Sequence, residues 1–225
     1  MPYDDAGPDR RLVAKLITGG AVAVRTTRRE WQKAAVRAEL RTVAIEVFLA
    51  QGYHEANIAE IAERAGVSER TFYRYFPTKE SVALDWIDET APAVHEMLRR
   101  QRPTVSPSDA LCEAFIAATP PSMDGTLEKP VLSLIFSTPR LLSAYYDHAR
   151  TWEKDVAQVL AERLGTDVAS DPRPALWSAM GFAIAHTVAR ERATQGNTDF
   201  SIFPTLLRKR FAEAAQFFHD LSVPG

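Results

Sequence analysis

Cysteine is almost missing from this chain: Cys112 stands alone among 225 residues. No disulfide can form within it, and a reducing compartment is expected. Long hydrophobic runs are missing too. The longest near the start, 12–24, is interrupted by Lys15, Thr18 and Gly19-Gly20 and is too short to span a bilayer. A secretory signal places positive charge first, whereas Asp4, Asp5 and Asp9 come early here. No membrane partner and a cytoplasmic location are therefore expected. The signatures of catalysis are also absent. No Ser sits in a G-x-S-x-G elbow, no Gly-rich phosphate loop appears, and Cys112 has no evident base. The five His residues, at 54, 95, 148, 186 and 219, lack metal-ligand spacing. An enzyme is not expected, nor a metal or cofactor.

Neither sign of charge dominates. The net charge of −2 looks wrong for nucleic acid, but its distribution matters more. Residues 25–80 hold ten Lys/Arg against eight Asp/Glu, and residues 81–225 hold fourteen against eighteen. The pattern is a slightly basic head on an acidic body.

Strand-like alternation is nowhere convincing, and helical periodicity is nearly continuous, so the fold class is all-α. The spacing predicts nine helices. The first runs from Lys33 to Gln51, followed by short helices over 57–65 and 69–75. A long fourth covers 79–100, with Pro92 predicting a kink or break inside it. Proline behind a capping residue then marks further starts at Ser106-Pro107, Thr138-Pro139 and Asp171-Pro172. Pro130 sits in or opens a helix ending near Ser137. Gly165 closes the helix from Pro139 to Leu164, Gly196-Asn197 the next, and the last spans 202–221. Residues 1–30 mix Pro, Gly and charge and read as a flexible extension. Arg25, Arg28, Arg29 and Lys33 there form either a basic arm toward DNA phosphates or a solvated linker.

The most informative segment is EIAERAGVSERTFYRYFPT, residues 60–78. Ile61, Ala62 and Ala65 give a short helix its apolar face, Gly66 permits a sharp exit, and Val67 plugs the corner. Ser68 is placed to cap the next helix. Phe72 and Phe76, four apart, form that helix's inward stripe. Arg70, Thr71, Tyr73, Arg74 and Tyr75 are left facing outward. Two helices about a Gly-containing turn make a helix-turn-helix, whose second helix enters the major groove of DNA.

The stretch from Val36 to Leu84 resembles the DNA-binding domain of the TetR family of bacterial transcription regulators. The resemblance is carried by FLAQGY (48–53), IAEIAERAGVS (58–68), TFYRYF (71–76) and the triplet T-K-E (78–80). It implies a helix-turn-helix domain over 31–80 and a helical body over 81–225 for ligand binding and dimerisation. It further implies a homodimer on pseudo-palindromic double-stranded DNA, and repression relieved by a small-molecule effector. Carried over by position, Thr71, Tyr73 and Tyr75 touch DNA, and Lys79 contacts a phosphate. A Lys at a helix N-terminus also adds charge to amides already aimed at an anion. Asn57 replaces the commoner Thr and can cap its helix while contacting phosphate. Arg70 and Arg74 depart from the usual residues; they either read bases, for which Arg is well suited, or pair with Glu69 or Glu63. Arg41 completes the candidate DNA contacts.

Two further sets of candidates lie in the body. Phe115, Phe136, Tyr145, His148, Trp152, Trp177, Phe182 and His186, with Met123 nearby, describe either a pocket for an aromatic or amphipathic ligand or an ordinary core. Phe203, Leu207, Phe211 and Phe218 form a seam on the last helix, and Ala179 lies among small residues that permit close helix approach. This seam is assigned to the dimer interface, the alternative being burial within one protomer.

Overall fold

The computed structural model describes residues 27–119, 128–194 and 202–222, with no side-chain placement for 89, 128–130 and 217–222. Arg25, Met123 and the side chain of Phe218 lie outside that description. Every described element is a helix: α1 (Arg28–Gln51), α2 (Ile58–Arg64), α3 (Glu69–Tyr75), α4 (Lys79–Ala83), α5 (Asp85–Arg100), α6 (Pro107–Ala118), α7 (Glu128–Ser137), α8 (Pro139–Leu164), α9 (Arg173–Thr194) and α10 (Phe203–Ser222). None of them is long and apolar enough to cross a membrane.

The chain divides into two compact units at Ala38 and Glu39. Of the first, residues 27–38 are described. Helix α1 begins a turn earlier than its periodicity predicts, because Thr27 and Glu30 make a reciprocal cap. Thr27 N donates to Glu30 Oε2 at 2.7 Å and Glu30 N to Thr27 Oγ1 at 3.3 Å. Arg28, Arg29 and Lys33 are exposed on these first turns.

The second unit, from Glu39 onward, holds the helix-turn-helix and the body. Leu40, Ala44, Val47 and Phe48 bury one face of α1, the i, i+4, i+7, i+8 spacing of an amphipathic helix. Helix α2 ends in the hydrogen-bond pattern that a left-handed residue creates. Gly66 takes φ +67°, its N–H bonding Glu63 O at 3.0 Å, while Val67 N bonds Ala62 O at 2.9 Å. Ser68 Oγ then accepts from Thr71 N at 3.2 Å and opens α3. Phe72 and Phe76 are wholly buried, their ring centroids 5.8 Å apart. Each such ring stabilises the fold by about 1.5–3 kcal/mol through removal from water.

Ten described helices replace the nine expected, because the fourth breaks at Leu84 and not at Pro92. Thr78 and Ser81 form a capping box that starts α4, with Ser81 N donating to Thr78 Oγ1 at 3.1 Å. Leu84 then leaves the helical region (φ −100°, ψ 0°), and Ile87 N restarts the chain on Leu84 O at 2.9 Å. Pro92 is accommodated inside α5; a missing N–H removes one helical bond, which the surrounding turns tolerate.

In the body, α9 packs against α6, α7, α8 and α10, and α8 reaches α4, α5 and α7. Gly181 on α9 permits the close crossing with α6. A Cβ there would sit 3.2 Å from Phe115 and 3.3 Å from Leu111. Cys112 is buried in this core, and burial pushes its thiol up to about 11, so it serves as a small apolar residue. The prediction for the turn is specific. Gly66→Ala forces an L residue into the left-handed region and should lower unfolding stability by about 1–2 kcal/mol, read from the urea midpoint.

Candidate nucleic-acid interface and internal cavity

Helix α3 presents its outer side to solvent. Arg70, Tyr73 and Arg74 are exposed, Tyr73 to 49 %, while Thr71 and Tyr75 are half-buried beside them. Capping and packing explain this division, since Ser68 fixes where the helix starts and Phe72 and Phe76 fix which side faces in. No described residue forms an ion pair with Arg70, and the alternative partners Glu69 and Glu63 do not engage it. Arg74 lays its guanidinium 5.3 Å from the centre of the Tyr75 ring, an arrangement that holds the charge extended over the surface. Asn57 is exposed at the N-cap of α2, where its side-chain oxygen accepts from Ala59 N at 2.9 Å.

Two of the expected DNA contacts sit differently. The Arg41 guanidinium reaches the buried carboxylate of Asp85 at 3.4 Å, so it works at the α1–α5 junction; a buried carboxylate requires such a partner. Lys79 turns toward the loop after α1, donating to His54 O at 3.2 Å and Ala56 O at 2.9 Å over the Tyr53 ring. Two of its three donors are thereby committed to the loop. Burial holds its ammonium below the ordinary lysine value.

A residue the sequence did not single out organises this corner. Glu80 accepts from the Tyr53 hydroxyl at 2.7 Å and pairs with the guanidinium of Arg140 in the first turn of α8. Burial alone would raise the Glu80 carboxyl; bonds from Tyr53, its own backbone, Arg140 and Thr78 outweigh it and hold the value at about 2. Burial and the same carboxylate push the Tyr53 hydroxyl upward. Only the T-K-E triplet hinted at this role, since one-dimensional spacing cannot show Tyr53 and Arg140 converging on it.

The body holds a cavity of about 100 Å³, open toward solvent, among α5, α6, α7, α8, α9 and the start of α10. Phe115, Tyr145, Trp152, Phe182 and His186 line it as the sequence anticipated. Three candidates do not. Phe136 packs edge-on against Tyr145, Trp177 packs on the core, and His148 pairs with Asp88 at 3.3 Å. Trp86, Ile87 and Val94 of α5, legible in the sequence as residues available for burial, line it too, together with Thr90; periodicity does not separate a cavity wall from a core. The seam of α10 also needs correction. Phe203, Leu207 and Phe211 are 8, 0 and 4 % exposed within a single chain, and Phe203 lines the cavity. They belong to the protomer core and leave no area for a partner. Ala179 is half-buried on α9, beside the exposed Leu176 and Ala183.

A helix-turn-helix with an exposed Arg/Tyr helix, mounted on a helical body, defines a DNA-binding transcription regulator. The chain belongs to the tetR family of bacterial regulatory proteins, whose family model matches residues 40–85, while a model described as the MftR C-terminal domain matches residues 105–218. It is similar to the HTH-type transcriptional regulator TcmR of Streptomyces glaucescens, at 32 % identity over 84 % of this chain and 87 % of that one. Its fold is similar to that of Bacillus subtilis FadR in complex with stearoyl-CoA (TM-score 0.52, 17 % identity, 77 % of this chain and 97 % of that one). It is also similar to NalD, the secondary repressor of the MexAB-OprM efflux pump of Pseudomonas aeruginosa (TM-score 0.53, 16 % identity, 80 % and 96 %).

The Glu80 corner makes acid stability testable. A carboxyl held down in the folded state contributes stability above its ordinary value of 4.5 and loses it as pH falls toward about 2. Tyr53→Phe should therefore be less stable than the parent at pH 7. The gap between their urea midpoints should narrow as pH drops from 4.5 to 2, and a pH-independent gap would reject the linkage.

Proposed function

We propose that this regulator is a homodimeric repressor that reads a pseudo-palindromic operator with α3 and is released when a small molecule occupies the cavity of the body. The observation that carries the reading is continuity. Helix α5 supplies Trp86, Ile87, Thr90 and Val94 to the cavity wall. Leu84 alone separates the end of α4 from the start of α5, and α4 carries the Lys79 and Glu80 bonds to the loop preceding α2 and α3. A ligand that displaces α5 moves α4 with it and re-aims the recognition helix. DNA contacts are assigned to Asn57, Arg70, Thr71, Tyr73, Arg74 and Tyr75, with Lys79 reaching a phosphate through its remaining donor. The dimer surface is assigned to α9, where Leu176, Ala179 and Ala183 lie side by side at helical spacing; Leu176 is 65 % exposed. A two-fold dimer places two recognition helices about one DNA turn apart. Residues 31–80 and 81–225 serve as its two functional parts, in a reducing cytoplasm.

Operator fragments found by genome-wide mapping of binding sites provide the test. Arg70→Ala or Arg74→Ala should alter sequence preference by about 1–3 kcal/mol per base pair misread. Tyr73→Ala should weaken the specific complex more than binding to scrambled DNA, and equal losses on both would remove these residues from base reading. Lys79→Ala should weaken all sequences alike and lower the salt slope by about one unit.

Filling the cavity tests release. Ala185→Phe, checked for native helicity, should leave the operator complex insensitive to the metabolite that releases the parent protein, as read by fluorescence anisotropy. Undiminished release would place the effector elsewhere.

A further inference from the structure

Among the described residues the cavity in the body has no charged side chain in its wall: Asp, Glu, Lys and Arg are all absent from its lining. Its polar groups are few, and the two threonine hydroxyls are committed. Thr90 donates its hydroxyl proton to Ile87 O at 2.7 Å and Thr119 donates to Phe115 O at 2.9 Å. Each therefore offers only lone pairs. The Trp86 indole N–H and the Tyr145 hydroxyl have no described hydrogen-bond partner, and neither has His186. Its ring sits in an aromatic box, 5.1 Å from Tyr145, 5.5 Å from Tyr146 and 5.8 Å from Phe182. Burial alone brings its imidazole down to about 4. At neutral pH the ring is uncharged, with one nitrogen donating and the other accepting.

These facts restrict the occupant. A carboxylate or ammonium buried here would find no counter-charge, and an unpaired buried ion is expensive. A saturated hydrocarbon would leave the His186 hydrogen-bonding capacity unmet. An aromatic ring suits walls built from Phe115, Tyr145, Trp152 and Phe182, because ring edges and faces attract one another. Size narrows the choice again. A dry, closed cavity of about 150 Å³ in another protein accepts benzene; this one has about 100 Å³ and opens toward solvent, so it takes no more than one ring, with substituents reaching the opening.

Building on the reading of this cavity as the effector site, we propose that the effector, in the part that enters the cavity, is an uncharged single aromatic ring bearing a hydroxyl, with that hydroxyl donating to His186. The chemical class is a neutral phenol. An acyl chain ending in a charged head, or an aromatic acid, fits this lining poorly.

Three probes of one shape test the class on the full-length protein: p-cresol, 4-methylbenzoate and toluene at pH 7.5. The chain has four tryptophans, and two of them, Trp86 and Trp152, lie in the cavity wall. Their indole ¹⁵N–H signals, assigned with Trp86→Phe and Trp152→Phe, report occupancy. The buried Trp86 indole nitrogen has no hydrogen-bond partner, so its signal is undisturbed by competing bonds. We expect p-cresol to shift both signals and to bind at least tenfold more tightly than 4-methylbenzoate and several-fold more tightly than toluene. His186→Phe should weaken p-cresol about five- to tenfold, the size of one neutral hydrogen bond, while toluene changes less than twofold. Binding of 4-methylbenzoate as tight as that of p-cresol overturns the uncharged class. Unchanged p-cresol binding in His186→Phe overturns the role of the imidazole, and no shift with any probe overturns the single-ring class. The probe series on the parent protein needs no variant to fold. Failure of the effector-site reading has its own signature, a metabolite that still releases DNA from Ala185→Phe, whatever the probes do.

Discussion

The Glu80 carboxylate accepts hydrogen bonds from two directions, from the Tyr53 hydroxyl in the loop after α1 and from Arg140 at the start of α8. It rides on α4, a helix of five residues. Helices that short are not stable by propensity, so their placement comes from tertiary bonds. Lys79, next to it, fastens the same loop through two backbone carbonyls. The recognition helix is therefore located by a handful of side-chain bonds on α4 together with the buried Phe72 and Phe76, and this connection, with the Arg41–Asp85 pair, ties it to the body.

Helix α5 converts this connection into a possible route for control. Its first turn holds Asp85 against Arg41, and its inward side lines the cavity. A ligand moves a two-state equilibrium only by its difference in affinity for the two states. Changing a 99:1 ratio to 1:99 takes about ten-thousand-fold preference. Close-packed interiors yield by switching between arrangements more readily than by stretching. The non-helical residue Leu84 is where such a switch costs least, because α4 and α5 share no continuous helical ladder across it.

The helix-turn-helix was legible in the sequence because its signals are local. Gly66, Ser68 and the Phe72/Phe76 pair each fix one backbone feature, and the structure uses all three as their chemistry dictates. The failures share a different character. Pro92 looked like the breaker, yet one missing N–H is a small loss in a well-packed helix, whereas Leu84 breaks the chain so that Asp85 can meet Arg41. The α10 seam read correctly as apolar, but periodicity cannot say whether the covering helix belongs to the same chain; α6 and α9 of the same protomer cover it. The α5 wall of the cavity was missed for a related reason. Trp86, Ile87 and Val94 read as residues available for burial, but periodicity cannot tell a cavity wall from a filled core. Glu80 was unreadable because its partners lie 27 and 60 residues away.

The two exposed arginines on the outer face of α3 have different surroundings. Arg74 rests on Tyr75, so part of its conformational freedom is already lost before DNA is met, and the entropy of ordering it in a complex falls accordingly. Arg70 has no such support and must order its whole side chain on binding. A guanidinium that arrives extended suits bidentate contact with a guanine edge, whereas a mobile one adapts more easily to a phosphate. Under the proposed reading both guanidiniums reach base edges, and Arg74 does so at the smaller entropic cost.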